Sequence, residues 1–355
     1  MPLNTIKITD FRCLEDAELQ LDPGYNLIVG ANASGKTSLL EGIAYLGRGR
    51  SFRGASTQDL IRYGASEFVL FGKTAVGPRV ASLGVRNSRL GLEIHVDGEK
   101  SNGAAALAEM LPLQVIDPDV HNLVAGGPEE RRRYIDWIAF HVEQGYLGQW
   151  RRFRRALKQR NAALKEGRGG AALAGWDKEL AEVGAEVHEA RCRALEIARP
   201  ALEEAGRALL GSGVDFEYQR GWSADKTLLE ALAAAGEREL QFGSTQTGPH
   251  RADMKLIYDE RRARKRVSRG QQKLLSCALI VAAIEVVQTQ LERPLLLLLD
   301  DPAAELDASS LSRLMDSVAG LGCQVIATSL EANKDLFPNS PRLFHVEQGV
   351  LQQAE

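Results

Sequence analysis

Gly30-Ala31-Asn32-Ala33-Ser34-Gly35-Lys36-Thr37 decides how this chain reads. The stretch fits G-x-x-x-x-G-K-[ST], a loop that cradles phosphates. Before it, Tyr25-Asn26-Leu27-Ile28-Val29 has the composition of a short buried strand. After it, Leu39, Leu40, Ile43 and Leu46 recur on one helical face. A strand entering the loop and a helix leaving it is the setting the motif needs. Gly30 and Gly35 open backbone conformations closed to residues with a Cβ, so successive N–H groups converge on phosphate oxygens. The new helix adds the positive end of its dipole. The candidate phosphate contacts run from Gly30 to Ser38. Lys36 would reach the β- and γ-phosphates of a nucleotide, and the Thr37 hydroxyl would hold Mg²⁺.

Composition narrows the setting. With 355 residues, 44% apolar and 26% charged, the chain is an ordinary globular one with room for two or three domains. A formal charge of -3 excludes a uniformly basic coat for nucleic acid, so any such contact must come from local patches. Cys13, Cys192, Cys277 and Cys323 lack metal-type spacing and read as reduced thiols. Met1 to Lys7 lacks the apolar core of a signal peptide. The longest near-apolar run, Leu274 to Val287, contains Glu285 and reads as too short to span a bilayer. A cytoplasmic protein is expected.

Around the loop, Ile6 to Ile8 and Ala17 to Leu21 alternate as strands do, with Phe11-Arg12 in the turn between them. Phe68 to Val96 reads as an antiparallel sheet punctuated by Gly-Pro, Asn-Ser and Asp-Gly. Leu113-Gln114-Val115-Ile116 is a further strand, ending at Asp117-Pro118-Asp119.

From Pro128 to about Leu210 the pattern turns helical. Leu173, Trp176, Leu180, Val183, Val187, Ala190, Ala194 and Ile197 form a heptad-like seam, with Trp150, Phe153, Leu157 and Leu164 as its partner upstream. The expectation is an antiparallel helical hairpin. Its first helix is basic: Arg151, Arg152, Arg154, Arg155, Lys158, Arg160, Lys165 and Arg168 face one acid, Glu166. Such a run is either a solvated helix face or a contact for the DNA backbone. Its clustering in an acidic chain favours the second, and the lack of interleaved aromatics predicts no reading of sequence. Asp225 to Ala235 reads as a short helix. Thr247-Gly248-Pro249-His250-Arg251-Ala252-Asp253 reads as a polar turn in which His250 is structural. A hairpin of Lys255–Tyr258 with 265–267, basic at its tip, follows.

Ser268-Arg269-Gly270-Gln271-Gln272-Lys273 opens an apolar helix, with Ser268 as a natural N-cap. Leu295 to Leu299 is a continuous apolar run ending in Asp300-Asp301, as in a strand buried on both faces of a parallel sheet. Asp300 stands where a Walker-B aspartate holds Mg²⁺. Leu311 to Leu321 is a helix, Gln324 to Ser329 a buried strand, and Gln348-Gly349 a turn.

A phosphate loop, an S-x-G-Q segment and an apolar run ending in two acids, in that order, resemble the ATP-binding-cassette (ABC) ATPases. The long insertion between the first and second is similar to the SMC-like branch that serves chromosome maintenance and repair. Within it the chain resembles the bacterial RecF family of recombination proteins over nearly its whole length. Ile8-Thr9-Asp10-Phe11-Arg12, Leu40-Glu41, Leu113-Gln114, Gly126-Gly127-Pro128, Arg131-Arg132-Arg133, Asp136-Trp137, the Thr247–Asp253 turn and Glu305-Leu306-Asp307 carry the match beside the three motifs.

The resemblance implies an α/β ABC-type P-loop ATPase head built from both chain ends, with an inserted helical-hairpin lobe: residues 1–127, 128–240 and 241–355. It implies ATP and Mg²⁺ as cofactors, with Lys36, Gln114, Asp300 and Asp301 as catalytic residues and Thr37, Gln114 and Asp300 around the metal. Ser268, Gly270 and Gln271 would cap ATP held by a second copy, and Asp307 would cross toward that copy's site. DNA, touched at Arg151, Arg152, Arg154, Arg155 and Lys158, an ATP-dependent homodimer, RecR and RecO, and indirectly RecA would be the partners. The implied activity is a weak, DNA-stimulated ATPase in recombinational repair. Three features depart from the pattern: Ala33 replaces a loop glycine, Pro302 and Ala304 alter the segment after the acids, and no histidine follows Ala327, leaving Thr328 or Ser329 in its place. A transporter subunit does not suit the inserted hairpin. A long-armed chromosomal protein does not suit an insertion of roughly 80 residues, whose arms span only ~60 Å.

Overall fold

The computed structural model describes residues 3–76, 79–101, 103–168, 170–259, 261–263, 267–333 and 337–353. It divides into two compact units, Met1–Val120 with Glu292–Glu355, and His121–Leu291.

The first unit opens with strands β1 (Thr5–Phe11) and β2 (Leu14–Gln20), then β3 (Tyr25–Val29), the phosphate loop, and helices α1 (Lys36–Arg48) and α2 (Thr57–Leu60). Strands β4 (Glu67–Val76), β5 (Arg79–Ser88), β6 (Gly91–Val96) and β7 (Glu99–Lys100) follow, then α3 (Ala105–Met110) and β8 (Leu113–Ile116). One sheet is antiparallel throughout, in the order β2-β1-β4-β5-β6-β7.

The second unit holds α4 (Asn122–Ala125), α5 (Pro128–Val142), α6 (Tyr146–Lys165), α7 (Ala171–Leu210), β9 (Val214–Gln219), α8 (Leu228–Phe242), β10 (Asp253–Tyr258), β11 (Arg261–Arg262) and α9 (Arg269–Leu291). The hairpin of α6 and α7 forms as expected. Phe153, Leu164, Leu173, Leu180, Val183, Val187, Ala190 and Ala194 are buried. Ile197 is not: it is 49% exposed. A straight helix of 3.6 residues per turn drifts off a 3.5-residue seam, so past Ala194 the buried face continues through Ala198, Ala201, Leu202 and Ala205.

Further expectations change. Helix α8 starts at Leu228 and runs to Phe242, because Thr227 and Glu230 form a capping box that stops it extending back to Asp225. The expected hairpin is tighter, with Ile257 opposite Arg262 and Tyr258 opposite Arg261; Lys265 and Arg266 lie outside the described residues. Strand β9, unread in the sequence, pairs with β10 along its full length. Residues 241–291 cluster with the insertion rather than with the head, since β10 pairs with β9 and α9 packs on α5 and α7. Helix α9 has 23 residues and its most apolar 18-residue window a mean hydropathy of 1.8, long and apolar enough by length and composition to cross a membrane. It is a core helix here, with 72% of its most apolar window buried.

The chain returns to the first unit with β12 (Leu296–Leu299), α10 (Pro302–Glu305), α11 (Ala308–Leu321), β13 (Gln324–Ser329), β14 (Arg342–Glu347) and β15 (Val350–Gln353). These complete a second sheet, β15-β14-β3-β13-β12-β8, parallel except at the β14–β15 hairpin. Helix α1 is enclosed between the two sheets of this unit. Leu39, Leu40, Ile43 and Leu46 are fully buried with Ile8 and Phe68 of one sheet and Ile28, Leu298 and Ile326 of the other. Two glycines let the sheets close in: a Cβ on Gly42 would stand 2.8 Å from Ile8, and one on Gly47 2.5 Å from Leu113. The sequence Asp10-Phe11-Arg12 gains a reason too. Asp10 and Arg12 both take left-handed φ (54° and 56°). Asp10 accepts from Arg62, and Arg12 pairs with the fully buried Glu41 of α1.

Candidate nucleotide site

Strand β3 ends at Val29, and the loop to α1 is braced by the far end of the chain. A Cβ on Gly30 would lie 2.3 Å from the Val346 carbonyl oxygen of β14, so position 30 requires glycine for close approach rather than for its φ. Gly35 requires it for both reasons: φ is +114°, and a Cβ would meet Cys13 Sγ at 3.1 Å. The Gly349 N–H donates to the Ser34 carbonyl (2.8 Å). Gly35 caps α1 with no side-chain acceptor, which leaves the first-turn donors of this buried helix to an anion. Among the described residues the buried Ser34 Oγ has no hydrogen-bond partner. Ala33, where the resemblance expects glycine, sits at φ 61°.

Lys36 is buried and folds back on the loop, its Nζ donating to Gly30 O (2.6 Å) and Ala31 O (2.9 Å). Burial lowers its pKa, against Asp301 and Asp300, which raise it. Thr37 Oγ1 donates to Asp300 Oδ1 at 3.0 Å. Thr328 Oγ1 donates to the same oxygen at 2.9 Å and accepts from the Asp301 N–H at 2.9 Å. Asp301 has left-handed φ and ψ (45°, 57°) as the residue before α10. Burial, Asp300 and Glu305 push its pKa up, against Lys36. The phosphate loop, its lysine and the two acids are thus one cluster.

Mg²⁺ takes near-octahedral oxygen ligands and keeps several waters, so it asks for only one or two protein oxygens beside phosphate. Thr37 and Asp300 supply two, 3.0 Å apart. The residues present fit the ion.

Over residues 2–350 the chain matches the RecF/RecN/SMC N-terminal domain family. It is 39% identical to the DNA replication and repair protein RecF of Pseudomonas fluorescens, over 99% of this chain and 98% of that one. The chain belongs to the RecF family. A solved structure of the recombination mediator protein RecF–ATPrS in the RecFOR pathway superposes with a TM-score of 0.89 at 25% identity, covering 99% of this chain and 98% of that one. An Smc head bound to the C-terminal winged-helix domain of ScpA shares the fold, with a TM-score of 0.60 at 16% identity over 100% and 97% of the two chains. The expected fold, an ABC-type ATPase head formed from both chain ends around an insertion, is the fold of this RecF-family chain.

The other expected site residues have these surroundings. Gln114 on β8 is buried, but its Oε1 accepts from Arg48 (3.4 Å), and among the described residues no hydrogen bond joins it to Thr37 or Asp300. Asp117, at the carboxyl end of the same strand, feels the charge of Asp300. Strand β8 runs beside β12, and the Asp300 N–H donates to Ile116 O. Burial, Asp119 and Asp300 raise the Asp117 pKa to about 6. Sequence reasoning passed it over, although its place one residue past a buried parallel strand was the available signal. Of the two hydroxyls offered for the missing histidine, Thr328 joins the cluster through its side chain.

In the second unit, Ser268 forms the expected cap. Its Oγ accepts from the Gln271 N–H (3.2 Å) and its N–H donates to Gln271 Oε1 (2.9 Å). Among the described residues nothing lies nearer a Cβ on Gly270 than Ser268 Oγ at 4.0 Å. The Thr247–Asp253 turn and the Arg131–Asp136 segment interlock. Arg131 pairs with Asp253, Arg132 donates to Ala252 O, and Arg191 bridges Asp136 to Pro249 O. His250 is structural: it is bonded to Thr245 O, and burial lowers its pKa to about 4.

The basic helix α6 divides. Arg151, Arg152, Arg154, Arg155 and Lys158 are exposed, with Arg152 paired to Glu179 and Arg154 lying over Trp150. Arg160, counted with them in the sequence, is 1% exposed and bonded to Asp177, Glu239 and Thr245. Asp307 spends its carboxylate on capping α11 through Ser310 and Ser309.

Proposed function

We propose that this chain binds ATP with Mg²⁺ at the phosphate loop, closes as a homodimer on DNA, and opens on slow hydrolysis. The observation that carries this reading is the hydrogen-bonded set Thr37–Asp300–Thr328, beside the Lys36 that caps its own loop. Lys36 would exchange two carbonyl partners for β- and γ-phosphate oxygens, and Asp300 and Thr37 would hold the metal. Bound Mg²⁺ would neutralise charge developing on those oxygens. Asp301, whose pKa is raised, would orient the attacking water and take its proton. Ser268, Gly270 and Gln271 would contact the γ-phosphate of ATP on a second copy. Arg151, Arg155 and Lys158, with Arg152 and Arg154, would meet the DNA backbone.

The solved relative is a recombination mediator of the RecFOR pathway. By extension, this chain would act in the cytoplasm with RecR and RecO and help load RecA at gapped DNA, as a weak, DNA-stimulated ATPase. The reading is tested by sedimentation with a slowly hydrolysed ATP analogue and Mg²⁺, with and without DNA. The parent should dimerise with nucleotide, and Lys36→Ala should bind none. Wild-type nucleotide affinity in Lys36→Ala would overturn the assignment.

A further inference from the structure

The second unit contains a cavity of about 760 Å³ that the nucleotide reading does not use. Its walls are α7, strand β9 and the turn Gln219-Arg220-Gly221-Trp222 that follows it. Gly221, at φ +93°, lets this turn press on the next one: a Cβ there would stand 2.2 Å from Gly248 O. The turn is therefore a fixed wall. It presents an unusual density of rings and guanidinium groups. His188 stacks on Tyr218 (5.7 Å between centroids, 20° between planes) and meets Trp222 edge-on at 5.1 Å. Arg220 lies over the Trp222 ring at 4.6 Å, and Arg199 over Phe216 at 4.1 Å.

The charges are not spent evenly. Glu196 is paired to Arg199, and Glu217 accepts from Gln219. Among the described residues neither Arg220 nor Arg251 has an acidic partner within ion-pair distance; Arg220 donates to the carbonyls of Ser223 and Lys226, and Arg251 to Thr245 O and Gln246 Oε1, so both keep their full charge. Two buried donors, Trp222 Nε1 and Arg220 Nε, have no acceptor there.

We propose that this cavity takes one unstacked nucleotide, its base against the rings and guanidinium planes and its phosphate on Arg220 and Arg251. Stacking surfaces joined to arginines are what single strands bind without regard to sequence, since every base has a π-face. A paired base has both faces covered and cannot enter a cavity of this size. The same chemistry is offered by a free nucleoside monophosphate and by an unpaired nucleotide in a strand, and the site is independent of Lys36.

The test is Trp222 fluorescence of the full chain without ATP, taken as the difference between the parent and Trp222→Phe. It is titrated with thymidine 5′-monophosphate, a short single strand of thymidines, and a blunt duplex. Quenching by the monophosphate and the strand, or by the strand alone, supports the proposal, the second outcome naming the strand as source. Ala224→Phe, at an exposed rim position, should weaken the quenching about tenfold or more while the melting temperature holds. Absence of quenching, equal quenching by the duplex, or an unaffected Ala224→Phe variant would each overturn it.

Discussion

The Thr37 hydroxyl donates to Asp300 Oδ1 at 3.0 Å across 263 residues of sequence. The contact exists because β3 and β12 flank β13 in one parallel sheet, so the loop after β3 and the acids after β12 emerge at the same edge. Thr328, at the end of β13 between them, donates to the same carboxylate oxygen and holds the Asp301 N–H. One threonine therefore fixes the direction of the Asp300 carboxylate and the backbone of Asp301.

Thr328→Val should cost roughly 1–3 kcal/mol, because the Asp301 N–H loses its acceptor in a partly buried place. It should also weaken Mg²⁺-dependent nucleotide binding more than metal-free binding. Thr328→Ser keeps the hydroxyl and should restore both. Urea unfolding and calorimetric titration with and without Mg²⁺ give the comparison, and a serine variant no better than valine would rule out the hydroxyl's role.

Arg160 sits on the basic helix but belongs to the interior. Its Nη1 bonds to Glu239, which is fully buried, and its Nε to Asp177. Arg160→Met leaves a buried carboxylate without its cation and should destabilise by about 3–5 kcal/mol. Replacing Arg155 and Lys158 together should leave unfolding almost unchanged and lower the salt dependence of DNA binding, by roughly one unit of slope for each phosphate no longer neutralised. An Arg160→Met chain as stable as the parent would mean the buried network contributes little.

This contrast marks the limit of what the sequence discloses. Lys36, Thr37 and Asp300 were legible because their motifs carry the spacing the chemistry requires, and the structure brings all three together. The seam of α7 was legible up to Ala194 and failed at Ile197, where accumulated helical drift outweighs a fixed repeat. Arg160 was misplaced because charge density along a helix says nothing of which residue meets Glu239, 79 positions later. The bracing of Gly30 by Val346 likewise depends on β14 returning beside β3, which no local pattern announces. The capping box at Thr227 and the alternation of β9 were visible and went unread.

Ala33 holds φ 61° with a Cβ, a conformation that costs an L-residue about 1–2 kcal/mol. Ala33→Gly removes that strain but adds freedom to the unfolded chain, worth about 0.4–1 kcal/mol in the other direction. A net gain of roughly 0.5–1 kcal/mol is expected, with nucleotide affinity within twofold, since the loop's shape is already that of a glycine. Denaturant midpoints measure the first and equilibrium titration the second. A loss of stability would show that the strain is not felt.

Asp117 makes the first unit sensitive to pH. Its pKa of about 6, raised from an ordinary 3.8, means the folded chain holds this proton more tightly than the unfolded one. The stability it contributes is present below about pH 4 and is lost as pH rises through 6, an effect on the order of 2–3 kcal/mol. His250 in the second unit has the opposite sign: lowered to about 4, it favours folding above pH 6.5, and that contribution is lost as pH falls. The parent alone therefore hides both. The difference between Asp117→Asn and parent should be near zero at pH 4 and favour the variant increasingly up to pH 7. A flat difference would place Asp117 in ordinary solvent.

Ser268 separates capping from docking against a second copy. Its Oγ accepts from the Gln271 N–H and thereby starts α9, so a simple deletion would confuse a frayed helix with a missing γ-phosphate ligand. Aspartate is as good an N-cap as serine. Ser268→Asp should therefore keep α9 and the melting temperature, within about 0.5 kcal/mol. It would also set a carboxylate where a γ-phosphate of the partner's ATP is proposed to dock, and like charges repel there. Binding of ATP by the monomer should be unaffected, because Lys36 and Thr37 lie in the other unit. Dimerisation with a slowly hydrolysed analogue should fall by at least about tenfold, and hydrolysis with it. Gly270→Ala makes the same point from the opposite side. Among the described residues a Cβ there meets nothing closer than 4.0 Å, so alanine should stabilise the helix by up to about 1 kcal/mol. If glycine at 270 serves the close approach of a second copy, the more stable variant should be the poorer dimer. Two stable variants that dimerise normally would show that this helix start faces no partner, and hydrolysis would then have to be completed within one copy.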